Sequence, residues 1–302
     1  MRVVVAPGQG SQKPGFLAPW LENPETHKIV ADWSAAIGVD LITHGTHSDA
    51  ETIRDTRIAQ PLIVAAGLIS GRALQATLTE DVHYAGHSVG EFTAAALAGV
   101  LTDVEALQLV ARRGAAMSKA ASLTPTGMSA VVGTNLESLE GVLDERGLIA
   151  ANVNSSTQVV VAGELAALDD LRGNPPEGTR VIPLEVAGAF HTSFMQPAQA
   201  DLESAATSVS PKDPTSVIYT NQDGSVVTSG GKYLELLVSQ MTSPVRWDRC
   251  MEAFVAAGAT EVIELAPAGA LVGLAKRSMP GVSTRKLDLP EHLDAFSAEE
   301  KG

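Results

Sequence analysis

The stretch Val82-His83-Tyr84-Ala85-Gly86-His87-Ser88-Val89-Gly90-Glu91 constrains this chain more than any other. Its centre, Gly86-His87-Ser88-Val89-Gly90, is a G-x-S-x-G, a pattern that sets a serine on a sharp strand-to-helix turn with its hydroxyl clear of the backbone. A strand-like run at 82–85 precedes it, and a helix of small residues at 92–98, stopped by Gly99, follows. The two glycines allow a close backbone approach and φ/ψ values that other residues resist. A plain tight turn between a sheet and a small-residue helix would carry the same string, so the serine's role depends on what else the chain supplies.

Residues 2–6 form a β-branched run that reads as a buried parallel strand. It leads into Pro7-Gly8-Gln9-Gly10-Ser11-Gln12, a loop too glycine-rich to be regular. Lys13 stands where a dinucleotide fingerprint wants a third glycine, and no G-x-x-x-x-G-K-[ST] occurs. Helices are predicted at 25–37, at 49–55, at 62–78 with Gln60-Pro61 opening it, and at 103–121 with Thr102 as N-cap. Strands alternating with helices predict an α/β fold, a mostly parallel, α/β-hydrolase-like sheet covered on both faces.

Between 125 and 186 the order becomes β-α-β-β-α-β. Strands are predicted at 128–132, 148–153, 158–162 and 180–186 and helices at 136–145 and 164–172, with Asn154-Ser155-Ser156-Thr157 as the hairpin turn. This is the ferredoxin-like order. It reads as a small subdomain, 125–186, inserted into a large catalytic one made of 1–124 and 187–302, with Pro125, Gly127 and Gly188 at the seams. Beyond it come helices at 196–208, 233–240, 247–257 and 271–277, strands at 216–220 and 260–265, and a polar tail from Pro290 expected to be loose.

Of the 302 residues, 45% are hydrophobic but only 4% aromatic, so Ala, Val and Leu must fill the core. A net charge of −14 excludes sequence-independent nucleic-acid binding, which needs a basic footprint. Cys250 is the only cysteine, so no internal disulfide forms, and it reads as a small buried apolar residue. The first residues lack the apolar run of a signal peptide, and no apolar run reaches the ~18 residues that span a bilayer. A soluble, cytoplasmic, monomeric protein without membrane contact is expected.

A serine hydroxyl is a poor nucleophile unless a base and an oxyanion hole serve it. Seven histidines are available. His27, His44 and His47 lie in polar loop or helix-end settings, His83 lies within a strand, and His292 lies in the tail. His87 adjoins Ser88, but consecutive residues around a sharp turn point apart. His191 remains, between the inserted unit and a helix, where it is either the base or a histidine packed at a helix start. No carboxylate stands out in the order Ser…Asp…His, since Asp169 and Asp170 fall on the inserted unit's helix. A main-chain carbonyl or an amide would serve, because the requirement is a fixed tautomer.

Four segments, Pro7-Gly8-Gln9-Gly10-Ser11-Gln12, Gly86-His87-Ser88-Val89-Gly90-Glu91, Arg112-Arg113-Gly114 and Ala189-Phe190-His191, occur in this order. Together they resemble the malonyl-CoA:acyl carrier protein transacylases and the acyltransferase domains of fatty-acid and polyketide synthases, over residues 3 to 277. The resemblance implies that Ser88 is the acylated nucleophile and His191 its base and later acid. The main-chain carbonyl of Gln240 would orient the imidazole, and the backbone N–H groups of Gln9 and Val89 would form the oxyanion hole. Arg113 would grip the free carboxylate of malonate as a planar fork, a match lysine cannot reproduce. Gln60 would line the same pocket. Asn152 and Asn154 would contact the thioester arm, unless they are turn-formers in the hairpin. Phe190 would exclude an α-methyl branch by volume. Gly188 departs from the family's usual His, and Ala270 in Pro267-Ala268-Gly269-Ala270 from its usual Lys.

The activity so implied is ping-pong transfer of malonyl from malonyl-CoA to the phosphopantetheine thiol of acyl carrier protein, for fatty-acid or polyketide synthesis, with no metal and no cofactor. Acyl carrier proteins are acidic, as this chain is, so docking calls for a local basic patch, with Arg246, Arg249, Lys276 and Arg277 as candidates. Two rivals remain: an α/β thioesterase or lipase, which would not need Arg113, and a non-catalytic acyl-binding subunit, against which an intact Ser88, His191 and Arg113 speak.

Overall fold

The computed structural model describes residues 1–78 and 82–299. Strand β1 (Arg2–Ala6) is buried from Val3 onward, as a strand covered on both faces must be. Three helices follow: α1 (Ala18–Leu21), α2 (Pro24–Ile37) and α3 (Leu41–Thr46). Asn23 caps α2 by accepting from the N–H groups of Glu25 and Thr26. α3 is too short to show a periodic stripe in the sequence. The helix predicted at 49–55 shrinks to a single 3-10 turn, Thr52–Arg54.

Helix α4 (Thr56–Gln75) begins before the predicted Gln60-Pro61. Asp55 is the true cap and accepts from the Arg57 N–H, so Pro61 lies inside the helix and deletes one internal hydrogen bond. By length and composition α4 is the one helix among the described residues that could cross a bilayer, yet 78% of its apolar window is buried inside the fold. It is a core helix. Strand β2 (His83–Gly86), α5 (Gly90–Leu97) and α6 (Asp103–Ala121) come next, α6 opened by a reciprocal capping box between Thr102 and Glu105.

Strands β3 (Thr126–Val132), β4 (Ile149–Ser155), β5 (Gln158–Glu164) and β6 (Arg180–Pro183) form a second sheet in the order β6-β3-β5-β4, with antiparallel neighbours. Helices α7 (Leu136–Arg146) and α8 (Leu165–Gly173) cover one face, packing Leu139, Leu143 and Leu168 on Val131, Val159 and Val161. The alternate residues Met128, Ala130, Val160 and Ala162 point the other way and join the main core. This second sheet is therefore covered on both faces. β4 runs through Asn154 to Ser155, past the start of the predicted turn, with a register shift between Val153 and Ser155. Its outer edge is taken by β7 (Val245–Arg246), parallel to it, so a segment far along the chain closes the smaller sheet.

After α9 (Gln196–Ala206) the predicted strand at 216–220 makes only isolated bridges, Ile218 to Tyr84 and Tyr219 to Val226. The chain continues through α10 (Gly230–Ser239), α11 (Trp247–Ala256), β8 (Glu261–Leu265), α12 (Ala270–Ser278), β9 (Ser283–Leu287) and α13 (Leu293–Glu299). The main sheet has the order β2-β1-β8-β9 and is wholly parallel. The tail expected to be loose from Pro290 is docked at Phe296, which is 1% exposed with the Arg285 guanidinium 4.6 Å over its ring, and the part of that expectation that falls on 300–302 lies outside the described residues. The carboxyl ends of β1 and β2 lie side by side, which puts the Pro7–Gln12 loop next to the serine turn, where open α/β sheets place their ligands.

Candidate active site

The turn at Ser88 is held in an unusual conformation by named ties. Ser88 has φ +53°, a left-handed backbone that costs a non-glycine residue about 1–3 kcal/mol. Its N–H donates to Asn221 Oδ1 at 2.7 Å, Asn221 Nδ2 donates to the Gly86 carbonyl at 2.6 Å, and the His87 N–H donates to the Ala6 carbonyl at 2.9 Å. Gly86 and Gly90 are required by contact: a Cβ on Gly86 would overlap the backbone at Gly90, and one on Gly90 would overlap the Ala6 carbonyl. The result is a half-buried Ser88 hydroxyl standing over the end of the sheet.

His191, buried in the loop after β6, meets that hydroxyl. Its Nε2 lies 2.7 Å from Ser88 Oγ, and its Nδ1 lies 2.9 Å from the main-chain carbonyl of Gln240. A carbonyl can only accept, so Nδ1 carries the proton and Nε2 presents its lone pair to the serine. His191 also has positive φ, +62°. Burial, and then the nearby Arg113 cation, push its pKa down to about 3, so the imidazole is neutral and ready to take a proton.

Arg113 descends from α6 into the same space and is fully buried. One arm of its guanidinium donates to Gln60 Oε1 at 2.8 Å, and the other donates to Gln240 Oε1 at 2.7 Å and lies 3.3 Å from Ser88 Oγ. Its Nε is buried with no partner among the described residues, and Phe92 lies 5.8 Å beneath the charge. Burial lowers its pKa to about 10, which leaves it a cation at neutral pH. Among the described residues no carboxylate touches it. A buried guanidinium with an unfilled donor, in reach of a nucleophile, is suited to a small anion carried by the reacting molecule.

The loop after β1 completes the wall. The Gln9 side chain donates to Thr56 Oγ1 at 3.3 Å and accepts from Gln60 at 3.4 Å, while Ser11 Oγ donates to the Gly8 carbonyl at 2.8 Å. Neither the Gln9 nor the Val89 backbone N–H has a protein acceptor among the described residues. A cavity of about 370 Å³, lined in part by Gln9, Ile53 and Leu184, opens beside this loop. A larger cleft of about 1030 Å³ lies between α2, α6 and α9 and is lined by none of these catalytic candidates.

Other candidates fall differently. Phe190, 6% exposed, belongs to the main core next to His191. Asn154 sits in β4, not in a turn, and its amide is already used: Oδ1 lies 2.9 Å from His87 Nε2, and Nδ2 donates to Gln158 at 3.2 Å. Asn152, also in β4, has a buried Oδ1 without a partner among the described residues. His87 thus points away from the Ser88 hydroxyl and lies edge-on to Trp247. Of the basic patch, Arg246 is paired with Asp248 and Arg249 with Glu252. Among the described residues no group of three or more His, Cys, Asp or Glu could hold a metal ion. Two residues of the site were not singled out from the sequence, Asn221 and Glu91, both buried and both joined to the serine turn.

Residues 3–286 match the family model described as an acyl transferase domain. The malonyl CoA-acyl carrier protein transacylase of Mycobacterium tuberculosis H37Rv is 45% identical over 300 residues, covering 98% of this chain and 99% of that one. The Escherichia coli K12 protein of the same name is 31% identical over 299 residues, covering 96% and 97%. The crystal structure of MCAT from M. tuberculosis superposes with a TM-score of 0.95 over 98% of this chain and 99% of that chain, at 45% identity. A malonyl-transacylase solved in complex with a type II PKS acyl-carrier protein superposes with a TM-score of 0.91 at 28% identity, over 99% of both chains. With the serine turn, the histidine and the buried arginine in place, the chain belongs to the acyl transferase family, among the malonyl CoA-acyl carrier protein transacylases.

Proposed function

We propose that this protein transfers the malonyl group of malonyl-CoA to the phosphopantetheine thiol of an acyl carrier protein through a malonyl ester on Ser88. The observation that carries the reading is the buried Arg113 guanidinium 3.3 Å from Ser88 Oγ, an anion-binding group beside a serine paired with a neutral histidine. In the first half, the Ser88 oxygen attacks the thioester carbonyl as His191 Nε2 takes the hydroxyl proton. The oxyanion of the tetrahedral intermediate receives the free N–H groups of Gln9 and Val89. Collapse breaks the C–S bond, and the imidazolium returns its proton to the departing coenzyme A thiolate.

In the second half, His191 takes the proton of the carrier's thiol, the sulfur attacks the ester carbonyl, and Ser88 leaves and recovers that proton. Bonds formed and broken are nearly equal in energy, so the cycle needs neither metal nor cofactor. Arg113 holds the malonyl carboxylate throughout, and Gln60 holds Arg113. Gln240 supplies the carbonyl that fixes the His191 tautomer. Phe190 restricts branching, and Asn152, with its unpartnered Oδ1, is better placed than Asn154 to meet the thioester arm. We read the architecture as an α/β-hydrolase-like body, residues 1–124 and 187–302, carrying a ferredoxin-like unit, residues 125–186. The strand order β6-β3-β5-β4 supports that reading.

Mass spectrometry after incubation with malonyl-CoA tests the proposal. A malonyl adduct on Ser88 that persists until carrier protein is added is expected. Rapid release of free malonate would make the protein a hydrolase, and no adduct would make it a binding subunit.

A further inference from the structure

Glu91 opens α5 just after the nucleophile and is 1% exposed, a carboxylate inside the core. Both of its oxygens are engaged. Oε1 accepts from the Asn221 backbone N–H at 2.7 Å and the Tyr233 hydroxyl at 3.4 Å, and Oε2 accepts from Gln240 Nε2. Each of the two stronger donors continues to the reacting groups. The Asn221 side chain pins the Ser88 N–H and the Gly86 carbonyl. The Gln240 side chain accepts from Arg113 and donates to the Ser88 carbonyl at 3.0 Å, and its main-chain carbonyl receives His191 Nδ1.

We propose that Glu91 is the positioning residue that locks Ser88, His191 and Arg113 into one arrangement, through Asn221 on one side and Gln240 on the other. The inference rests on the acyl-transfer reading above. It goes further in making the nucleophile and the carboxylate clamp a single assembly with one buried anion at its root.

The chemistry of the donors explains why the residue is a carboxylate. An ionised carboxylate only accepts, and two N–H donors converge on it from opposite sides. A glutamine in its place has one oxygen and must turn its NH2 toward the Asn221 N–H or toward Gln240. In the second case Gln240 has to flip, which aims its own NH2 at the Arg113 guanidinium. Either way one tie is lost. The carboxylate thus dictates which way the Gln240 amide faces.

Charge makes the assembly sensitive to pH. The groups facing Glu91 are Arg113 from α6, Tyr233 from α10, Cys250 from α11, and the amides of Asn221 and Gln240. Burial pushes the Glu91 carboxyl up to about 7, against the pull of these hydrogen bonds and of Arg113. A proton on Glu91 turns an acceptor into a donor, the same lesion as the amide substitution.

The test compares Glu91→Gln with the wild-type enzyme in malonyl-CoA acylation between pH 5.5 and 9. In the wild type kcat/KM is expected to fall below about pH 7, a limb that His191, already neutral down to about pH 3, does not supply. Glu91→Gln is expected to lose that limb and to lower kcat roughly 10–10²-fold at pH 8, the scale of a slight misplacement of reacting groups. A wild-type kcat in the variant, or a loss with the acid limb intact, overturns the proposal. Should Glu91→Gln fail to fold, Glu91→Asp carries the test, since it keeps the charge and withdraws it by one methylene. Retained limb with lowered kcat supports the proposal, and wild-type kcat overturns it. The two readings fail differently, because a missing malonyl-Ser88 adduct in the wild type overturns the acyl-transfer reading itself, and this inference with it.

Discussion

Replacing Arg113 with alanine isolates the choice of acyl group from the chemistry of acyl transfer. The guanidinium is fully buried and meets Gln60, Gln240 and Ser88, with no carboxylate in contact among the described residues. A malonyl carboxylate entering beside it gains charge-assisted hydrogen bonds of about 1.5–3 kcal/mol each. Two such bonds sum to about 3–6 kcal/mol, in line with the about 3–5 kcal/mol at which breaking a buried ion pair is felt in a site that solvent scarcely screens. Arg113→Ala should therefore lower kcat/KM for malonyl-CoA by ~10²–10³-fold or more. Acetyl-CoA has no carboxylate to lose, and its entry no longer strands a buried cation, so its kcat/KM should hold or rise. Arg113→Lys should fall between, because one ammonium cannot reach Gln60, Gln240 and a carboxylate in the planar geometry of the fork. The assay is the rate of Ser88 acylation with each thioester, read by intact mass. Equal losses for malonyl and acetyl would refute the clamp and make Arg113 a structural cation.

The remaining expectations concern pH and branching. His191, with its pKa lowered from 6.5 to about 3, contributes stability that is present above 6.5 and lost as pH falls toward 3. Glu91, raised from 4.5 to about 7, runs the other way, its contribution full below 4.5 and lost as pH rises through 7. The slopes oppose each other between 4.5 and 6.5, so denaturant midpoints of His191→Gln should fall as pH rises across that window, and those of Glu91→Gln should fall as pH drops. Parallel slopes in both variants would refute the assignment. Phe190→Ser should raise methylmalonyl-CoA use relative to malonyl-CoA in a competition assay, while the emptied core volume costs about 3–5 kcal/mol of stability, visible as a lower Tm. An unchanged ratio in folded protein would remove Phe190 from the pocket.

Much of the fold was legible because its main elements are buried on a period. The valines of β1 and β5 and the capping box of α6 each announce their element locally. What was missed follows from pairing that no local pattern carries. β9, Ser-Thr-Arg-Lys-Leu, is an edge strand bonded on one side, with polar residues that read as loop. The run at 216–220 has strand composition, but it meets Tyr84 through a single bridge and turns away. Pro61 is a sound helix opener by local rule, overridden because Asp55 already caps the helix by accepting from the Arg57 N–H. The polar residues around Phe296 hide a docking point that its burial, 1% exposed, reveals.

The site divides along the same line. Ser88 is marked by its neighbours in sequence, and His191 emerges by removing the other histidines. Asn221 and Glu91 are 130 residues apart and show themselves only through each other. Glu91 is hidden by a rule that explains it too easily: an acidic residue in the first turn of a helix is favoured by the helix dipole and normally faces water. Yet α5, Gly90 to Leu97, offers no polar face, and every one of its residues is buried. A helix without a polar face has no solvated side on which to leave a charge, and a buried carboxylate without partners costs far more than the dipole returns. The acid therefore had to be paired inside, next to the nucleophile it follows, and the only question left to the structure was which donors meet it.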